Sequence, residues 1–230
     1  MKKMAFFVEG QTELLFVNKL LKEMAGAKNI QVRLERKVRK NKFRFLKAIS
    51  KNNINEYYIL IRDCMGDSSV KSEIIDNYNS LEIAGHEKIV GIRDVFPVDK
   101  NDISKLESNL NFGLPTEGIQ IQIILAEMEI EAWFLAEATH YSRIDSSITL
   151  AKVVSNLSFD PTKNHVEERI HPSKDLDDIY KLAGKSYKKK KTNCLRTVNA
   201  LDYSVLYLVV SKRVPRLKML IECIDHFFSA

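Results

Sequence analysis

The segment Met4–Met24 limits what this chain can fold into more than any other. An apolar run, Met4–Val8, stops abruptly at Glu9, Gly10 and Gln11 supply a turn, and Leu14, Val17, Leu20, Leu21 and Met24 then recur at helical spacing. Thr12 is placed to cap that helix, with Glu13 in its first turn. The pattern is a buried strand, a glycine turn and an amphipathic helix, with one carboxylate at the carboxyl end of the strand. In open α/β sheets ligands bind at that end.

Further strands follow the same grammar. Tyr57–Ile61 is continuously apolar, as in a strand buried on both faces, and ends at Arg62-Asp63. Lys88–Ile92 ends at Arg93-Asp94, and Ile119–Leu125 is a third β-rich run. Ile30–Val38 alternates apolar and charged residues, as a half-exposed or edge strand does. Helices are expected over Asn41–Ser50, Val70–Tyr78, Asp102–Leu110, Ser173–Ala183 and from Pro215 onward. The fold class expected is therefore α/β: a mainly parallel sheet flanked by helices, over residues 1–145, with a mostly helical C-terminal part over 146–230 packed on it.

Charge is unevenly spread. Arg33, Arg36, Lys37, Arg39, Lys40, Lys42, Arg44, Lys47 and Lys51 face a single nearby acid, Glu35, so this stretch holds more positive charge than the +6 of the whole chain. Such a patch attracts a phosphate backbone, and Lys188 and Lys189 in the later lysine run are candidates for a second contact. Phe43 and Phe45 are candidates to stack on bases, with sheet packing the simpler role for at least one of them. Three scattered cysteines without a CxxC spacing point to a reduced, cytoplasmic protein. Apolar stretches interrupted by Glu127, Glu129 and Glu131 or too short for a bilayer argue against membrane insertion. A P-loop and a GxGxxG are both missing from the sequence, which disfavours nucleotide hydrolysis by this chain alone.

Glu9, Asp63 and Asp94 each follow a buried strand, so a parallel sheet brings them to one rim, joined by Asp67. Clustered carboxylates raise one another's pKa unless a cation neutralises them, and hard oxygen donors suit Mg²⁺ or Mn²⁺. Each acid taken singly is better explained as a turn or cap residue, and it is three in register after three buried strands that shift the balance toward a site. The alternating Glu127, Glu129 and Glu131 would share one face of a strand and need a cation there, or diverge on a helix.

Phe7-Val8-Glu9-Gly10-Gln11-Thr12-Glu13 resembles the EGxTE signature of Toprim-type (topoisomerase–primase fold) nuclease domains, found in OLD-family and RloB-like proteins. Asp63 and Asp67 resemble that family's strand-end aspartates, although the family spacing is Asp-x-Asp and three residues intervene here. Glu131-Ala132-Trp133-Phe134-Leu135 is similar to a Glu-x-Trp-x-Leu segment of RloB-like proteins, and Tyr187 with Lys189 to a later Tyr-x-Lys element. The resemblance implies Glu9 as catalytic acid/base, and Asp63 and Asp67 as metal ligands with Glu131 as a further ligand or an orienting acid; Asp94 joins them by its place after a strand. It implies a metal-dependent nuclease acting on DNA or RNA, and a toxin of an anti-phage system partnered with an ABC-type ATPase. The alternative is a non-catalytic nucleic-acid-binding or regulatory subunit that keeps the fold. A homo-oligomer is compatible with either.

Overall fold

A computed structural model describes residues 1–40, 42–50, 54–66 and 68–229. In chain order the elements are β1 (Lys2–Val8), α1 (Gln11–Ala25), β2 (Ile30–Arg39), β3 (Lys42–Ser50), β4 (Tyr57–Asp63), α2 (Ser69–Ile83), β5 (Lys88–Asp94), α3 (Ile103–Asn111) and β6 (Gln120–Ala126). They continue with α4 (Glu131–Ala136), α5 (His140–Ile144), α6 (Leu150–Leu157), α7 (Pro172–Lys181), α8 (Lys191–Ala200), α9 (Tyr203–Leu208) and α10 (Pro215–Ser229). The chain divides into two compact units: 1–93 with 101–125 and 224–230, and 94–100 with 126–223. The sequence reading drew one boundary, near residue 145.

The sheet has six strands in the order β3-β2-β4-β1-β5-β6. β1 lies parallel to β4 and β5, and β2 is parallel to β4, which gives the mainly parallel sheet expected. β1 is apolar without alternation because both of its faces are covered. Ala5 and Phe7 pack into a layer with Val70, Ile74 and Leu81 of α2. Met4, Phe6 and Val8 alternate to the other face and are equally buried. α2 packs closely over Gly91 of β5: a Cβ there would stand 3.1 Å from the Val70 and Ile74 side chains of α2 and from Ile123 of β6.

Two local expectations are corrected. Residues 42–50 form a strand, not a helix, antiparallel to β2 with Phe43 opposite Lys37 and Phe45 opposite Glu35. Phe43, Leu46 and Ile49 recur every third residue and Phe45 and Ile49 are four apart, a spacing that imitates a helical face, and pairing with β2 overrides it. Helix α1 starts one residue before Thr12, so Gly10 is its N-cap and Thr12 is buried within the first turn.

In the second unit β6 has ended at Ala126, a turn carries Glu127 and Glu129, and Glu131 opens α4. Trp133, Phe134, Tyr141 and Tyr180 are buried there. All three cysteines are buried as thiols. Among the described residues no helix is long and apolar enough to cross a membrane.

Candidate functional site

In the first unit, Val8 pairs in register with both Asp63 and Ile92, so Glu9 lies one step beyond the end of the central strand. Its backbone is held on both sides: Glu9 N–H donates to the Ile92 carbonyl (3.1 Å) and its carbonyl accepts from Gly66 N–H (2.9 Å). Cys64 N–H donates to the Val8 carbonyl (2.8 Å). Met65, in the turn after β4, adopts a left-handed backbone (φ 59°), uncommon for a residue with a side chain. That turn aims Met65 N–H at Asp63 Oδ1 (3.0 Å).

Asp63 is fully buried. Arg36 sits opposite it in the β2–β4 register, and its Nε donates to Asp63 Oδ2 at 2.7 Å. Burial raises the Asp63 pKa, opposed by the Met65 amide and the Arg36 charge. One step along, Glu35 faces Arg62 in the same register and accepts from it at 2.9 Å, while taking Arg33 at 2.6 Å. Lys37 pairs with Glu73 of α2 at 2.9 Å.

Three of the cations expected to meet phosphate, Arg33, Arg36 and Lys37, are thus committed to carboxylates of the protein. Arg39, Lys40, Lys42, Arg44 and Lys47 are exposed along the β2–β3 ribbon. Of the aromatic residues there, Phe43 lies under the Arg62 guanidinium (4.4 Å) against the core, and Phe45 is exposed beneath Arg33 (5.1 Å).

The second unit holds a separate constellation. Lys189 Nζ stands 3.2 Å from Glu129, 3.5 Å from Glu131 and 3.6 Å from Asp94. The cation between these acids is therefore an ammonium. Asp94 Oδ1 accepts from Ile130 N–H (2.9 Å), and Glu129 accepts from both the amide and the hydroxyl of Ser173 (2.8 and 2.9 Å). Glu131 is fully buried and takes the Tyr187 hydroxyl at 2.6 Å. Burial raises the Glu131 pKa and Glu129 adds to it, while Lys189 and Tyr187 oppose the rise. Glu127 turns away to Arg216 (3.3 Å). Glu131, Tyr187 and Lys189, singled out by resemblance, do meet.

Lys189, expected from its place in the lysine run to meet phosphate, instead neutralises these acids of the protein. The signal available was the demand of Glu129 and Glu131 for a counter-charge. Ser173, Phe96 and Lys174, which line a pocket of about 470 Å³ beside Tyr187 and Lys188, carried no such signal.

Asp67 lies outside the described residues, as do Asn41 and Lys51. Among the described residues no group of three or more His, Cys, Asp or Glu is arranged to hold a metal ion. The donors are nevertheless of the right kind, since each Asp63 oxygen accepts one N–H and a carboxylate offers about four acceptor positions in all.

The chain matches no family model, no curated protein and no solved structure with which it was compared.

Proposed function

We propose that the chain is a Mg²⁺- or Mn²⁺-dependent nuclease of the Toprim type, cutting phosphodiester bonds in DNA or RNA. The observation that carries this reading is the register at the end of the central strand. Glu9 lies one residue past Val8, and Val8 is paired with Asp63 on the adjacent parallel strand. Two carboxylates on neighbouring strand ends, the first with its backbone clasped from both sides, suit a centre that positions a water molecule and a phosphate.

Asp63 would hold the ion, with Asp67 the expected second donor. A divalent ion held there would supply Lewis-acid stabilisation of the charge that develops during phosphodiester cleavage. Glu9 accepts the proton of the attacking water, a role open to a carboxylate within hydrogen-bond reach of it. Asp63 is kept in place by Arg36 and the Met65 amide. The exposed cations of the β2–β3 ribbon bind the phosphate backbone. The resemblance adds a setting, an effector of an anti-phage system working with an ABC-type ATPase, and a cytoplasmic location.

The test is incubation of the protein with plasmid and with total tRNA in Mg²⁺ or Mn²⁺, wild type beside Glu9→Ala and Asp63→Asn. Cleavage by the wild type, lost in both variants and in EDTA, is the expected result. Cleavage that persists in EDTA sinks the metal mechanism.

The Arg36–Asp63 ion pair favours a second reading, a non-catalytic nucleic-acid-binding or regulatory subunit. On that reading the guanidinium is the permanent partner of Asp63, no preparation cleaves, and Glu9→Ala binds nucleic acid as the wild type does.

A further inference from the structure

We propose that the pocket beside Tyr187 in the second unit receives one unpaired nucleotide of a single strand, with Phe96 as the base platform and Lys174 and Lys188 as phosphate contacts. The inference deepens the nucleic-acid reading above and rests on it.

At about 470 Å³ the pocket is within the range of small-ligand sites and has room for a nucleotide. Phe96 is 41% exposed on its wall. Its position is nonetheless fixed: Phe96 N–H donates to the Met128 carbonyl at 2.8 Å, and Val98 N–H closes the turn onto Val95 at 2.9 Å. The His171 ring meets Phe96 in a T-shaped contact, 5.5 Å between centroids at 73°. A single contact of that kind leaves a ring face open. An aromatic ring anchored through its backbone but bare at its face is a stacking platform, and stacking accepts any base.

The charge on the walls agrees. The two acids that line the pocket have donors of their own: Glu129 takes Ser173 and Lys189, and Asp177 takes Lys181 (2.7 Å) and the Tyr187 amide (2.7 Å). Lys174 and Lys188 stand exposed at the rim. Cations around an aromatic wall fit a phosphate on one side of a stacked base. A duplex keeps its bases inside the stack and presents none to such a ring unless a nucleotide is extruded. The ligand class is therefore single-stranded nucleic acid.

The experiment is fluorescence anisotropy in EDTA, with a labelled 12-nucleotide DNA, the same sequence as RNA, and the DNA as a blunt duplex. Single strands are expected to bind more tightly than the duplex. Phe96→Ala should weaken single-strand binding roughly tenfold and leave duplex binding unchanged, and Phe96→Trp should restore it. Joint substitution of Lys174 and Lys188 by alanine should flatten the salt dependence for single strands by about 1.4 in slope. If Phe96→Ala, with unchanged thermal melting, leaves single-strand affinity intact or lowers both forms alike, the pocket is not a base site. Competition by oligo-glutamate as strong as by the single strand would reassign it to acidic peptides. EDTA separates the two readings: a chain that binds single strands through Phe96 yet never cleaves removes only the nuclease. One that cleaves with Phe96→Ala binding as before removes only this pocket.

Discussion

The Tyr187 hydroxyl donates to Glu131 Oε1 at 2.6 Å, joining residues 56 apart in the chain. The bond answers a problem set by burial, because Glu131 has no solvent to share its charge. Tyr187→Phe is therefore expected to cost about 1–3 kcal/mol, the penalty of leaving a buried acceptor without its donor. The sign with pH follows from the raised pKa of Glu131, whose protonated form the fold favours. Its stabilising contribution is present at low pH and lost as pH rises through the folded value. The Tyr187→Phe deficit should thus be larger at pH 8 than at pH 5, read by urea denaturation. A deficit independent of pH would mean that Tyr187 acts through packing alone.

Lys189 balances three acids at once. Lys189→Met should destabilise by roughly 1–3 kcal/mol, less than a fully buried pair would because the lysine is 46% exposed. Adding Glu131→Gln to Lys189→Met should recover part of that loss, since one of the opposed charges is gone. A double variant no more stable than Lys189→Met would refute the electrostatic account.

Arg36 and Asp63 face each other across a strand pair, with the acid wholly buried. Arg36→Ala leaves that charge uncompensated and should cost about 3 kcal/mol, whereas Asp63→Asn should cost less. The coupling measured in a double-mutant cycle is expected to exceed 1 kcal/mol. Additive effects would show that the pair contributes little.

The carboxyl of Glu167 is pushed up from 4.5 to about 7, first by burial and then by Glu127, with the Trp133 indole and Arg216 drawing it back. The folded chain therefore keeps a proton that the unfolded chain releases, and stability falls as pH rises from about 4.5 through about 7. Glu167→Gln should remove that slope. It should be more stable than the wild type at pH 8 by roughly 1–3 kcal/mol and indistinguishable at pH 4. Parallel urea midpoints for the two proteins across that range would be the contrary result.

The β2–β3 ribbon should govern how steeply nucleic-acid binding depends on salt. Replacing Lys42 or Arg44 by glutamine is expected to lower the slope of log affinity against log salt by about 1 each, with melting unaltered. Arg33→Gln should instead show in stability, because Arg33 is tied to Glu35 at 2.6 Å. Equal effects of all three on the slope would overturn this division of labour.

The parts of the molecule that were legible in the sequence are those fixed by local periodicity. β1, the turn at Gly10 and α1 follow from an unbroken apolar run and a helical repeat, and α10 from Pro215 and its apolar face. What was illegible depends on partners distant in the chain. Asp63 was visible as a strand-end acid, but its guanidinium comes from β2, and only the β2–β4 register sets Arg36 opposite it. β3 was misread because most of its side chains are exposed, so no buried stripe marks its period. Glu129 and Glu131 advertised a missing cation, yet charge and spacing leave the four consecutive lysines equal, and only the likeness of Tyr187 and Lys189 to a Tyr-x-Lys element set one of them apart.

β3 is one of the two edge strands of the sheet, and the side chains it presents include Lys42, Arg44 and Lys47. Open strand edges recruit one another, and like charges along them keep two molecules apart. The same cations that would draw in a polyanion thus act as a guard against fibrillation. A polyphosphate that silences them would expose the protein to edge-to-edge stacking, so solubility and ligand load are coupled through one strand.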